Sequence, residues 1–238
     1  MTGSYYVSRP AGKVDFADYW EPRADPDGVV RDRLTEAERN RYVHDNENIL
    51  QFCRRLQPGH VLDIGCGPGW MLEQLAIVGW QCRGLEESPI ACRHRSFPFT
   101  WMTRWEKLRK GRLDVLFNVV IANHIIEHTN DPEAFIRFID ARLTGDGYLI
   151  LGTPDFASPC ARRFGDNYRL LHDPPHVRLF SLESMHRFLR DHGFRVERVD
   201  FPFPERYATP ENFARWNNTT KVSPPWPGNF MTFFARKI

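Results

Sequence analysis

The sequence lacks the marks of several large classes of protein. Its five cysteines are an odd number and include no C-x-x-C pair, which argues against a disulfide framework and a cysteine zinc site. No apolar run approaches the roughly 20 residues that span a bilayer, and the amino-terminal segment has no basic stretch followed by an apolar one. We therefore expect a protein without a membrane span or an export signal, located in the reducing cytoplasm.

An excess of charge of one sign is also missing. The chain has 32 Lys and Arg against 30 Asp and Glu, for a formal net charge of +2, whereas a nucleic-acid-binding domain carries a basic surplus. Its 238 residues, 42% of them hydrophobic, can bury a substantial core. The composition predicts one globular unit without a nucleic-acid partner.

Short β-rich runs alternate with helical patterns along most of the chain, which predicts an α/β fold with a parallel sheet covered by helices on both faces. In the helix after "NDP", Asp131 is the cap and Pro132 the first residue, and we expect this helix to end at "TGDG". Leu143 falls on its apolar face. Strands are predicted at Val61–Ile64, Gln81–Leu85, Leu116–Ala122 and Tyr148–Leu151 and in "RVERVDF" and "NFMTFFARKI", and helices at Trp70–Val78, near Ile90, after "NDP" and at Ser181–Asp191.

Composition also suggests how the chain is divided. Residues 1–40 mix Pro, Gly, Asp and aromatic residues and are predicted to form a capping arm. Thr35 followed by Glu38 is a helix-start signal for a helix or a broken pair of helices. The main domain is predicted at 41–238, with substrate-side insertions at about 154–179 and 202–228.

The strongest local signal is "VLDIGCGPG", in which a strand runs through a glycine loop into a helix. The glycines let the backbone and the helix N-terminus lie close against a ligand. Trp70 stands where a dinucleotide fingerprint requires its third glycine, so the NAD version fails. Glu86, about 20 residues further on, can accept hydrogen bonds from both ribose hydroxyls of an adenosine ligand. The pattern predicts a nucleoside-like ligand without a pyrophosphate.

Five motifs in a fixed order carry a family resemblance: "VLDIGCGPG", "GLEES", "VVIANHIIEHTNDPEAF", "GYLILGTPD" and "HVRLFSLESMHRFLRDHGFRVERV". Together they resemble the class I S-adenosylmethionine-dependent methyltransferases. More narrowly, they resemble the small-molecule branch that includes ubiquinone-pathway O-methyltransferases and sugar and natural-product methyltransferases. The resemblance implies a Rossmann-like, mostly parallel seven-stranded sheet with helices on both faces and an antiparallel last strand. It also implies S-adenosylmethionine as cofactor and S-adenosylhomocysteine as product.

The resemblance places the cofactor contacts on the glycine loop and on the ends of the next strands. It puts two glycines beside the methionine part of the cofactor, an aspartate in support of the loop, and a cysteine that lies there by family habit rather than as a nucleophile. A glutamate falls on the ribose, a methionine beside the adenine, and an asparagine at the methionine end. This set is Gly65 and Gly67, Asp63, Cys66, Glu86, Met102 and Asn123.

Methyl transfer is an in-line displacement, so the protein must hold the acceptor in line and exclude water. A histidine is a suitable base for a hydroxyl acceptor because its pKa lies near neutrality. The candidates are His124 at the end of the fourth strand and His172 and His176 in the first insertion. His176 belongs to a segment that forms a pocket wall in the family, so a positioning role stays open. We expect O-methylation of a small-molecule or glycan acceptor in preference to N- or C-methylation.

The two insertions give limited information about the acceptor. The first carries four arginines that could bind a phosphate or carboxylate, or could be solvated loop charges. The second is rich in aromatic residues and proline, and could stack on a sugar or aromatic acceptor or serve as a packing flap. A phosphorylated acceptor is therefore possible, and the oligomeric state is not indicated. The arginines are Arg162, Arg163, Arg169 and Arg178.

The string "HIIEH" matches the inverted zinc-peptidase signature. A zinc peptidase needs both histidines on one face of a sustained helix, and here there is room for about one turn between the predicted strand and Asp131. In the ubiquinone-pathway relatives the matching segment reads Glu-x-x-Glu-His and is associated with a divalent cation, and His124 replaces its first Glu. A divalent metal is therefore possible but not expected.

We predict that Asn123 faces the cofactor, His124 faces the acceptor, and Glu127 with His128 fixes the turn. A binding protein that has lost catalysis remains an alternative.

Overall fold

A seven-stranded sheet forms the centre of the computed structural model, which describes residues 5–10, 19–24, 30–98, 100–103, 105–107, 113, 115–173 and 176–238. The order across the sheet is β3-β2-β1-β4-β5-β7-β6. Strand β7 runs antiparallel to both of its neighbours, and the other pairs are parallel. The predicted α/β class with an antiparallel last strand is confirmed. The strands are β1 (His60–Ile64), β2 (Gln81–Glu86), β3 (Thr100–Met102), β4 (Phe117–Asn123), β5 (Leu143–Pro154), β6 (Phe194–Asp200) and β7 (Phe230–Lys237).

The helices begin where the sequence places polar caps. Asp131 accepts a hydrogen bond from the N–H of Ala134 at 2.8 Å, and Thr35 and Ser181 cap their helices in the same way, because such side chains satisfy the free N–H groups of a first turn. The helices are α1 (Glu36–Asp45), α2 (Glu47–Arg54), α3 (Trp70–Ile77), α4 (Pro89–Arg93), α5 (Pro132–Asp140), α6 (Pro159–Phe164), α7 (Leu182–Asp191) and α8 (Pro210–Trp216).

Two apolar layers cover the two faces of the sheet. Helices α5 and α7 contribute to one layer and α2 and α3 to the other. Val61 and Leu62 enter different layers, because successive side chains of a strand point to opposite faces. The predicted placement of helices on both faces is confirmed.

The predicted end of α5 is wrong. The helix ends at Asp140, and Leu143, which we had expected on its apolar face, begins strand β5. Leu143 is buried and pairs with Phe117 of β4. Pairing with a neighbouring strand therefore outweighed the turn signal in "TGDG", and β5 is 12 residues long.

Outside the sheet, the arm pairs with the first insertion, and the two insertions pack together. Val7 and Ser8 of the arm pair with Leu179 and Arg178 of the first insertion. Side chains of both insertions share a small apolar cluster that includes Tyr168. The described helices are all too short or too polar to cross a membrane. The domain limits stay a prediction.

Candidate active site

A cavity of about 440 Å³ opens at the carboxyl ends of β1 and β4. The order of strands reverses between these two strands, and open α/β sheets bind their ligands at such a switch point. The volume lies within the usual range for small-molecule sites. Gly65, Glu86, Asn123, His124 and His176 all line the cavity, so the structure brings these predicted site residues together.

The loop after β1 requires glycine at its first two glycine positions. Gly65 and Gly67 have φ of 74° and 55°, in the left-handed region that other residues avoid. A Cβ atom at Gly65 would lie 2.1 Å from Ile125 Cδ1, and one at Gly67 would lie 2.5 Å from the ring of Trp20. The neighbouring Cys66 is buried, and its thiol donates to the carbonyl of Gly67 at 3.6 Å.

The carboxylate of Glu86 is held by two backbone groups. Its Oε2 accepts from the N–H of Gly67 at 2.8 Å and its Oε1 from the N–H of Ser88 at 2.7 Å. Burial raises the pKa of Glu86, and these two hydrogen bonds oppose the rise. Met102 pairs with Glu86 across β3 and β2. The carboxylate therefore has a fixed orientation at the cavity edge, where ribose hydroxyls can donate to it.

Asp63 lies on β1, just before the glycine loop, and its side chain is buried. Its Oδ2 atom has no hydrogen-bond partner among the described residues. Burial, together with the nearby charge of Glu86, raises the pKa of Asp63 to about 8. The protonated form of this carboxyl is therefore favoured at neutral pH. A cationic ligand beside the loop would favour ionisation, so the residue fits its predicted supporting role next to a sulfonium cofactor.

His124 follows β4 in a strained backbone conformation. Its φ of 58° is the one positive value among the described non-glycine residues, and its N–H donates to the carbonyl of Gly152 at 2.9 Å. The ring meets Phe230 edge-on with centroids 5.0 Å apart, and the side chain is 42% exposed. The preceding Asn123 donates through its amide to Asn46 at 2.9 Å. The loop therefore presents the imidazole to the cavity.

Glu127 is fully buried directly behind His124. Its Oε1 lies 3.3 Å from His124 Nδ1, and its Oε2 accepts from the hydroxyl of Thr153 at 3.1 Å. Burial alone would raise the pKa of Glu127, but the hydrogen bond from His124 and the charges of His128, His124 and His176 outweigh it and lower the pKa to about 2. The surroundings of Glu127 therefore favour its ionised form.

The other two predicted histidines have different surroundings. His176 is buried, donates from Nδ1 to the carbonyl of Leu170 at 2.6 Å and stacks on His128 with centroids 5.0 Å apart. His172 is exposed and donates from Nε2 to the carbonyl of Asp166 at 2.9 Å. It is not among the described residues that line the cavity. The structure places His176 with His124 and leaves His172 outside.

Donor atoms of Glu127, His128 and His176 all lie within 4.8 Å of one another. Imidazole and carboxylate ligands suit a divalent transition-metal ion. His176 donates from Nδ1 to a backbone carbonyl, as is usual for a metal-ligating histidine, and its Nε2 lies 3.8 Å from Asp173 Oδ2. The donor set thus fits a cation, although both oxygens of Glu127 already accept hydrogen bonds from His124 and Thr153.

Several aromatic residues of the cavity had no signal in the sequence. Trp20 lies over Gly67 and meets Trp70 edge-on with centroids 5.9 Å apart. Trp105 packs against Phe135 of α5 and also lines the cavity. Both contacts join segments that are distant in the chain, so no local pattern indicates them.

The strand order, the glycine loop and Glu86 define a class: α/β proteins that bind a nucleoside-like ligand at the carboxyl edge of the sheet. Residues 36–199 match the methyltransferase domain family, and the chain belongs to that family. Its fold is that of the class I S-adenosylmethionine-dependent methyltransferases. The methyltransferase class and the cofactor predicted from the motifs are thereby confirmed.

Individual relatives agree with this assignment. The chain is 30% identical over 124 residues to the mitochondrial ubiquinone biosynthesis O-methyltransferase of Bos taurus, covering 45% of this chain and 33% of that protein. It is 29% identical over 136 residues to the ubiquinone biosynthesis O-methyltransferase of Azorhizobium caulinodans, covering 53% and 49%. A crystal structure of a SAM-dependent methyltransferase from Archaeoglobus fulgidus superposes with a TM-score of 0.60 at 18% identity, covering 84% of this chain and 94% of that one. The chain spans about a third to a half of the length of the curated relatives it matches.

Proposed function

We propose that the chain transfers the methyl group of S-adenosylmethionine to a hydroxyl group of a small-molecule acceptor. One observation supports this most directly: Gly65, Glu86 and His124 line the same cavity. A cofactor bound against the glycine loop and Glu86 would leave His124 for the acceptor. The similarity to two ubiquinone biosynthesis O-methyltransferases supports oxygen as the acceptor atom.

The bound cofactor supplies a methyl group on a sulfonium that already carries positive charge. Glu86 would hold the ribose and the glycine loop the methionine part of the cofactor, and the aromatic rings of Trp20 and Phe230 would help to exclude water. His124 accepts the hydroxyl proton at Nε2 as the acceptor oxygen bonds to the methyl carbon. The carbon–sulfur bond of the cofactor would break at the same time, which would leave S-adenosylhomocysteine and the methyl ether. Methyl transfer to a hydroxyl group requires only that the two reactants are aligned and that one base removes the proton.

The arginines of the first insertion bear on which chemical classes of acceptor the site can bind. Arg162 and Arg163 donate to backbone carbonyls, and Arg178 donates to the carbonyl of Asn130 at 2.6 Å. Among the described residues of this set, Arg169 alone lines the cavity. If the acceptor carries a phosphate or carboxylate, Arg169 is the residue that supports its binding. A glycan intermediate, with or without phosphate, stays a candidate beside phenolic acceptors.

An acceptor screen tests the proposal. The chain and S-adenosylmethionine would be incubated with sugars, sugar nucleotides and phenols, and products would be followed by mass spectrometry. We expect S-adenosylhomocysteine and a product heavier by one methylene unit. His124→Ala should lower kcat by about 10²–10⁴-fold, the usual contribution of a positioned base, with little change in cofactor affinity. His94→Ala, an exposed histidine at the end of α4, is the matched control. Cofactor binding without turnover of any acceptor would favour a protein that has lost catalysis.

A further inference from the structure

The buried carboxylate of Glu127 takes no direct part in the proposed methyl transfer. Its side chain is fully buried, and a carboxylate in that position persists only where hydrogen bonds and opposite charge offset the loss of water. Each oxygen has one such bond, to His124 on one side and from Thr153 on the other. The backbone carbonyl of Glu127 also accepts from the N–H of Val177 at 2.9 Å. The residue is therefore fixed at three points.

This carboxylate determines which nitrogen of His124 carries the proton. Glu127 Oε1 lies 3.3 Å from Nδ1, and a carboxylate oxygen in that position favours the tautomer with its hydrogen on Nδ1. The neutral ring then has its lone pair on Nε2, at the opposite edge. Phe230 contacts the same ring edge-on, and the side chain of His124 is 42% exposed and lines the cavity. That is the form that can receive a proton.

Thr153 holds the carboxylate in turn. It is fully buried on β5, next to β4, and its hydroxyl donates to Glu127 Oε2 at 3.1 Å. The second oxygen is thereby engaged, and the first remains directed at His124. Thr153, the last of the three residues His124, Glu127 and Thr153, thus lies on a strand of the central sheet.

We infer that Glu127 and Thr153 are positioning residues that fix the tautomer and orientation of His124 for proton removal from the acceptor. The inference rests on the proposed function, in which His124 is the base. It differs from the predicted role of Glu127, which was to fix the turn. The competing use of the same carboxylate is to hold a cation together with His128 and His176.

The state of His124 can be measured without any acceptor. In the full chain labelled with ¹⁵N-histidine, long-range proton–nitrogen spectra distinguish the two neutral tautomers, and the spectrum of His124→Gln assigns the resonance. We expect the Nδ1–H tautomer in the wild type. Glu127→Gln should produce a mixture or the other tautomer, and Thr153→Val a smaller change in the same direction. Thr232→Val, a buried threonine on β7, is the matched control and should change nothing.

Turnover provides the second measurement. Glu127→Gln should lower kcat by at least about tenfold and by no more than the about 10²–10⁴-fold that a base contributes, with the Kd for S-adenosylhomocysteine unchanged. Thr153→Val should lower kcat less and keeps the test valid if the glutamine variant does not fold. An Nε2–H tautomer in the wild type, or a kcat unaffected by either variant, would overturn the inference and leave methyl transfer standing. So would a bound divalent ion in the wild type whose removal by EDTA reproduces the loss seen in Glu127→Gln. Failure of the wild type to bind S-adenosylhomocysteine would refute the proposed function instead.

Discussion

Replacement of Glu86 by glutamine should separate the two tasks of this side chain. The two oxygens of the carboxylate accept from the N–H groups of Gly67 and Ser88. Glutamine keeps the shape but turns one acceptor into a donor, so one of these buried N–H groups loses its partner. Such a loss costs about 1–3 kcal/mol. For a chain of this length it should lower Tm by about 2–12 °C.

The same change should weaken cofactor binding for a different reason. A hydrogen bond to a charged acceptor is worth roughly 1–2 kcal/mol more than one to a neutral acceptor. With two ribose hydroxyls the expected loss is about 2–4 kcal/mol, or a Kd about 30- to 700-fold higher. Titration calorimetry with S-adenosylhomocysteine measures the affinity, and Glu197→Gln on β6, outside the described cavity lining, is the control. A lowered Tm with unchanged affinity would show that Glu86 supports the loop and does not touch the ribose.

Three further predictions concern the walls of the site. Gly67→Ala should lower Tm and cofactor affinity because φ is 55° and the new Cβ would meet an indole ring at 2.5 Å. Its control is Gly145→Ala, where nothing lies within 4 Å of the new Cβ, and this variant should leave Tm and cofactor affinity unchanged in the same calorimetric assays. Asp63 has a pKa of about 8 when folded against 3.8 ordinarily, so the folded chain binds the extra proton and stability should fall as pH rises from about 4 to 8, by up to about 1.4 kcal/mol per pH unit. Asp63→Asn should remove that slope in urea titrations, and an unaltered slope would contradict the assignment. Arg206 forms a two-pronged ion pair with Asp45 of α1, which lines the cavity, so Arg206→Ala should raise the acceptor KM with S-adenosylhomocysteine affinity unchanged. A loss confined to cofactor affinity would argue against this role.

Local patterns predicted the parts of the site that local geometry builds. The glycine loop, Glu86 at the end of β2 and His124 after β4 each follow a strand, and strand ends can be read from hydrophobic runs and glycines. The bond from Thr153 to Glu127 joins residues 26 positions apart, and burial of that carboxylate depends on how β5 and the first insertion pack around it. No periodicity encodes such packing. The same limit explains Leu143, whose strand pairing outweighed a helical pattern.

The position of Trp20 affects where a functional fragment of the chain must begin. The family match starts at residue 36, and a fragment cut there would keep every strand of the central sheet. It would lose the indole that lies over Gly67, together with Tyr19 and Arg33, which line the same cavity. Limits drawn from similarity alone would therefore yield a fragment that retains its core and lacks one wall of its own site.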